Sequence, residues 1–184
     1  SIAGAWALYG LVRDIFGRHA GLLTLLCVAI APWHFMQSRW ALDCNMFPHM
    51  FILGLFFLNK GLQKSRCLYL SMVFFALCMY AYGVSFYMVP VFLLISCVAL
   101  LLGRRVSWQQ AALAAAVYFG LAWPIYGTML INFMGWETVT LPFTTMAYFP
   151  DSMRSGDIIF FSEQPLTQLL YNARTLWRQV FLQK

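Results

Sequence analysis

The chain has 184 residues, 62% hydrophobic and 10% charged, with a formal net charge of +6 and a mean hydropathy of +0.72. Eighteen charged side chains cannot furnish the polar skin of a soluble protein this size, so an ordinary cytosolic enzyme, a disordered chain and a secreted disulfide scaffold are excluded. What remains is a polytopic membrane protein, and an aromatic content of 18% suits a chain with many membrane–water crossings.

The elements follow in chain order from where the charges fall. The first apolar run, Ile2 to Val12, is shorter than the roughly 20 residues that a span needs, and no charged leader region precedes it. The expectation is therefore a chain that begins inside a helix, as a piece of something longer. Arg18 and Arg39 bracket one span, Gly21 to Trp33. Asp43 and Lys60 bracket 16 residues, a second, shorter span. Arg66 to Arg104 encloses 37 uncharged residues. As one helix these would reach roughly 55 Å, too long for a single crossing of a ~30 Å core. They predict a hairpin of two helices turning at Gly83. Another span runs from about Trp108 to Tyr126. The fold class read from this pattern is all-α: a transmembrane helical bundle of about six crossings, the first one truncated.

Arg13, Arg18, Lys60, Lys64, Arg66, Arg104 and Arg105 fall on alternate turns, whereas the opposite short loops hold only Arg39. The positive-inside rule puts those seven cations in the cytoplasm. It puts 34–45, 82–85 and everything after about Gly127 outside. Composition shifts after Glu137: the last 48 residues hold eight of the 18 charges, together with Pro142, Pro150 and Pro165. The division expected is a transmembrane domain at 1–136 and an extracytoplasmic segment at 137–184. From Pro165, the apolar residues Leu166, Leu169, Leu170, Ala173, Leu176 and Val180 line one face of an amphipathic helix. That helix suits the membrane interface or packing on the rest of the protein equally well.

The net positive charge is a matter of topology and not a nucleic-acid footprint. Cys27, Cys44, Cys67, Cys78 and Cys97 form no CxxC pair and mostly sit in apolar runs. Neither a disulfide nor a metal site follows from them. Chemistry concentrates in the loop from Ala31 to Asn45. Arg39 and Asp43 are four apart, so a helix would put them on one face. Ionisable groups this close to a membrane are functional candidates. Equally, an Arg39–Asp43 ion pair starting the next helix would account for the spacing. His49, beside Pro48 inside the next span, reads as a packed histidine rather than a ligand.

Pro32-Trp33-His34, then Ser38-Arg39, then Asp43-x-Asn45 resembles a motif of the bacterial membrane glycosyltransferases of the C superfamily (GT-C). The resemblance is to the branch related to protein O-mannosyltransferases and lipid A aminoarabinose transferases. Arg13-Asp14-Ile15-Phe16-Gly17-Arg18 is similar to that family's basic inner loop, and Asn59-Lys60-Gly61-Leu62 to its next one. Tyr80-Ala81-Tyr82-Gly83, running to Val89-Pro90, is similar to its outer Tyr-x-Tyr corner. The likeness covers about residues 5 to 126. It departs at Gly83, where many relatives carry His, and at Asp43, where the family has Glu.

The resemblance implies sugar transfer on the outer face of the bacterial plasma membrane. The donor is a polyprenyl-phosphate-linked sugar and the acceptor a glycan, lipid or protein, with inversion at the anomeric carbon. It implies no cofactor and no metal. A departing phosphate needs a fixed cation, which a guanidinium supplies bidentately. Arg39 is therefore the candidate phosphate contact and His34 a supporting donor. Asp43 is the group that orients Arg39, with Asn45 beside it in the motif. Tyr82 is a candidate contact to phosphate or sugar, though an interface-belt tyrosine fits that position as well. In this family the general base lies in the first outer loop, which would precede Ser1. The catalytic base is therefore unassigned, and the 184 residues alone are expected to be inactive. The rival class is a transporter or flippase subunit, which would place ionisable groups near mid-membrane on broken helices. Here they cluster at span ends, with His49 the only exception.

Overall fold

A computed structural model of the chain describes residues 2–32, 36, 43–149, 167, 171, 174 and 175. Among them are six α-helices: α1 (Ile2–Phe16), α2 (Arg18–Ile30), α3 (Met46–Gly61), α4 (Ser65–Ala81), α5 (Ser85–Leu102) and α6 (Trp108–Met134). A single 3-10 turn, Asp43–Asn45, precedes α3. The all-α bundle expected from the charge pattern is the observed architecture. Two compact units divide it, Ser1–Gly127 and Thr128–Lys184.

Helix boundaries follow local chemistry. Gly17 separates α1 from α2 at φ +93°, a left-handed conformation that glycine adopts without steric penalty. The α2 helix ends at Ile30, because the residue before Pro32 is pushed to extended backbone; Ala31 has φ −69° and ψ 112°. Pro48 falls in the first turn of α3, where its missing N–H would have had no helical acceptor. The predicted hairpin turn is present: Gly83 lies between α4 and α5, and Ser85 N–H donates to the Tyr82 carbonyl at 3.0 Å.

In the first unit α1 packs on α2 and α3, and α3 packs closely on α4. The core is centred on α4, where Phe75 is fully buried and Met72, Ala76, Cys78 and Met79 are nearly so. Phe51 of α3, Phe75 of α4 and Phe92 of α5 form a triangle of rings with centroids 5.2–5.5 Å apart. Buried Ser71 satisfies itself inside the helix, its hydroxyl donating to the Leu68 carbonyl at 2.8 Å. The outward surface is apolar: Leu94 of α5 is 66% exposed and Ile95 64%, with Leu121 and Trp123 of α6 also open. A helix that is apolar all round has lipid, not water, as its solvent. Both α5 and α6 are long and apolar enough to cross a membrane.

In the second unit the structure differs from the expected loop. The α6 helix extends past Tyr126 to Met134, because no charge interrupts the chain before Glu137. Gly135, at φ +68°, ends it, and Trp136 N–H reaches back to the Ile131 carbonyl at 3.0 Å in a Schellman cap. A β-hairpin follows, β1 (Val139–Leu141) paired antiparallel with β2 (Thr144–Met146). Asn132 ties this unit together, its amide donating to the Ala147 carbonyl and its carbonyl accepting Phe149 N–H. The amphipathic helix read from Pro165 onward lies almost wholly outside the described residues.

Candidate functional site

The first unit has two chemically distinct ends. At one, Asp14 lies past the apolar stretch Ile2–Val12 and accepts from Arg13 at 3.0 Å and from Lys60 Nζ at 2.7 Å. This bridge joins the α1–α2 turn to the α3–α4 turn. The Gln110 side-chain amide then donates to Ser65 Oγ at 2.7 Å, joining the α3–α4 turn to the start of α6. Gln110 also closes a capping box with Ser107: Ser107 N–H donates to Gln110 Oε1, and Gln110 N–H donates to Ser107 Oγ. The turns carrying all seven short-loop cations therefore share one end of the bundle. Sequence alone did not pair Asp14 with Lys60, which are 46 positions apart with nothing periodic to link them.

The ammonium of Lys60 holds the Asp14 carboxyl below the usual carboxylate range, with Arg13 helping. A lowered folded pKa gives stability that is present above the unfolded value and lost as pH falls through the folded one. Asp14→Asn should therefore be slightly less stable at neutral pH, by no more than the ~0–1 kcal/mol of a partly exposed ion pair, and should melt slightly lower. The difference from wild type should vanish on acidification through the folded pKa of Asp14. Thermal melts of both proteins across acid pH check it; a gap that persists in acid would contradict the assignment.

The opposite end carries the candidate site. The Asp43–Asn45 turn starts α3 and lies against α4. Asn45 is half-buried, its carbonyl oxygen 3.8 Å from Cys44 Sγ. On the antiparallel neighbour, α4 ends at Ala81 and hands over to Tyr82, whose backbone is extended at φ −160°, ψ 140°. The Tyr82 side chain is 42% exposed. Two residues back, the Tyr80 hydroxyl donates to the Leu121 carbonyl on α6 at 2.7 Å, fixing the corner against that helix. Nothing in the sequence separates Tyr80 from Tyr82 within the Tyr-x-Tyr corner. The structure thus brings the Asp43–Asn45 turn and the Tyr82 corner to one end, away from the seven cations. His34 and Arg39 lie outside the described residues. His49 is half-buried on α3 and packs onto Gly4 of α1, where a Cβ would come within 2.5 Å of its ring.

An all-helical bundle whose outer faces are apolar, whose cations gather at one end and whose polar motif lies at the other is an integral membrane protein. Residues 1–126 match the model of the dolichyl-phosphate-mannose-protein mannosyltransferase family, and the chain belongs to that family. The match ends one residue before the helical unit does. Membership makes the protein a membrane glycosyltransferase of the GT-C type that draws on a lipid-phosphate sugar donor. Searches of curated proteins and of solved structures return no match.

Proposed function

We propose that the protein moves a sugar from a polyprenyl-phosphate donor to an acceptor at the extracytoplasmic face of the bacterial plasma membrane, through a multi-pass bundle whose cationic end is cytoplasmic. The sugar is a hexose or pentose; the family description names mannose as the sugar and a protein as the acceptor. The acceptor hydroxyl attacks the anomeric carbon and gives its proton to a base. The bond from that carbon to the phosphate oxygen breaks, and the lipid phosphate leaves with the electron pair. Arg39 holds that phosphate, His34 donates alongside, Asp43 orients the guanidinium with Asn45 beside it, and Tyr82 contacts phosphate or sugar. No cofactor or metal enters, since the guanidinium takes the charge role.

Among the described residues of the helical unit the acids are Asp14, at the wrong end, and Asp43, already assigned to Arg39. The general base is unassigned.

The observation that carries this reading is the segregation of seven turn cations from the Asp43–Asn45 and Tyr82 end. Impermeant thiol labelling tests it, with the five native cysteines replaced by alanine or serine. Lys64→Cys and Arg104→Cys should label only from the cytoplasm; His34→Cys and Arg154→Cys should label from outside, placing the 137–184 segment there too. Outer labelling at position 64 would reverse the orientation and remove the outer-face reaction with it.

A further inference from the structure

The cationic end has a second feature that sugar transfer does not use. An elongated cleft of about 370 Å³ opens between α5, α6 and the base of α4, within the size range of ligand pockets. It runs along α5 from Pro90 to Leu101, about 16 Å at ~1.5 Å per residue. Ala111, Ala114 and Ala115 of α6 make the room, since small side chains there face Leu93, Leu94 and Leu101 without filling the space between the helices. The walls offer an occupant almost nothing to hydrogen-bond: the Tyr118 hydroxyl is already 2.9 Å from that of Tyr126, and among the described residues no buried side-chain polar atom lacks a partner. The occupant is therefore hydrocarbon. It is also slender, because a helix of ~10 Å diameter does not enter a cleft this small.

The mouth supplies the rest of its chemistry. Leu101 and Val106 both line the cleft and bracket Arg104 and Arg105. The Ser65–Gln110 bond sets Lys64 and Arg66 beside the same end. Arg13 and Lys60 are engaged by Asp14; among the described residues no carboxylate pairs with Arg104 or Arg105. Arg104 is moreover the one described non-glycine residue with a left-handed backbone, at φ 51°. It sits at the αL position of a Schellman cap, with Arg105 N–H donating to the Leu100 carbonyl at 3.0 Å. Glycine is the favoured residue there, and an arginine is kept against a backbone penalty.

We propose that this cleft binds one acyl chain of an anionic glycerophospholipid, whose phosphate is held by Arg104 and Arg105. The headgroup end of this site, at Arg104 and Arg105, is the end opposite the Tyr82 corner, so it is a resident lipid site separate from the donor's. Because it rests on different residues, it stands or falls independently of the outer-face reaction.

The intact protein, exchanged into detergent with phosphatidylglycerol or phosphatidylcholine and examined by native mass spectrometry, tests this. Phosphatidylglycerol should be retained in preference, and the preference should shrink at high salt. Arg104→Gly removes the charge and relieves the left-handed strain together. It should melt no lower than wild type yet retain phosphatidylglycerol about fivefold less, the weight of one basic residue at a charged lipid surface. Ala115→Phe, at an exposed position on the cleft wall, should block both lipids while leaving the melting temperature near wild type. Equal retention of the two lipids, unaltered retention in both variants, or a preference for a polyprenyl phosphate over phosphatidylglycerol would overturn the proposal.

Discussion

Arg39→Ala in the intact protein is expected to lower sugar transfer by about 10- to 100-fold with the fold preserved. That is the worth of a charge-assisted hydrogen bond of roughly 1.5–3 kcal/mol. In the sequence Arg39 is the only Lys or Arg in the short loops that the charge pattern assigns to the outer side, so something there must compensate for it. A lipid phosphate at headgroup level would do so, and Asp43, four residues on, is proposed to hold the guanidinium without neutralising a phosphate. Arg39→Lys keeps the charge and loses the bidentate fork, so its loss should be smaller but clear. Asp43→Asn should be milder still. If instead Arg39 and Asp43 form only a structural pair, breaking either end leaves an uncompensated charge and both alanine variants should express poorly and melt early. Transfer rates and melting temperatures measured on the same four preparations separate the cases. Full activity in Arg39→Lys, with equal misfolding of the two alanine variants, would make Arg39 a strut.

Gly61→Leu is expected to be among the most damaging changes in the helical unit. Gly61 is the last residue of α3, and a Cβ there would lie 2.8 Å from both the Cα and the N of Leu68. Those are backbone atoms of α4, so no rotamer change makes room. Gly54 is the milder case along the same helix pair: a Cβ would meet the Phe75 ring at 2.8–3.0 Å, and that ring is fully buried within the phenylalanine triangle. Overpacking of such sites ordinarily costs about 1–3 kcal/mol, and the backbone clash puts Gly61 at or above the top of that range. Gly83→Leu is the control, since nothing lies within 4 Å of its Cβ position. Thermal unfolding in detergent should rank the three with Gly61→Leu lowest, Gly54→Leu next and Gly83→Leu near wild type. A Gly83 variant as unstable as the Gly61 one would mean that the α3–α4 contact is not what sets the stability.

How far the fold could be read in advance depended on which interactions are local. Charges at span ends and the turn at Gly83 act on their own neighbours, so the helices and the two-helix reading of 67–103 were legible from them. The motif residues Asp43, Asn45 and Tyr82 could be placed at one end because an even number of helix reversals separates the loops that hold them. Contacts set by packing were not legible. Nothing in the sequence links Asp14 to Lys60 or Ser65 to Gln110, and the cleft depends on alanines that look like ordinary helix formers. The hairpin at 139–146 has no turn signal in the sequence, because its two-residue turn, Pro142-Phe143, lacks the glycine or asparagine that usually marks such turns. Its strands nonetheless carried a signal in Val139, Thr140, Thr144 and Thr145, all β-branched. Tyr80 looked equivalent to Tyr82 in the motif. Only the third dimension shows one hydroxyl bonded to α6 and the other side chain open.

The most direct test of the central claim asks which end of the bundle receives the donor's phosphate. A polyprenyl phosphate with a photoactivatable diazirine on its first isoprene unit would be cross-linked to the intact protein in membranes and the adducts mapped by peptide mass spectrometry. Adducts confined to residues 33–45 and 80–87, and competed away by unlabelled polyprenyl-phosphate sugar, are the predicted result. Competed adducts at the 103–107 turn instead would place the donor at the cationic end and contradict the account.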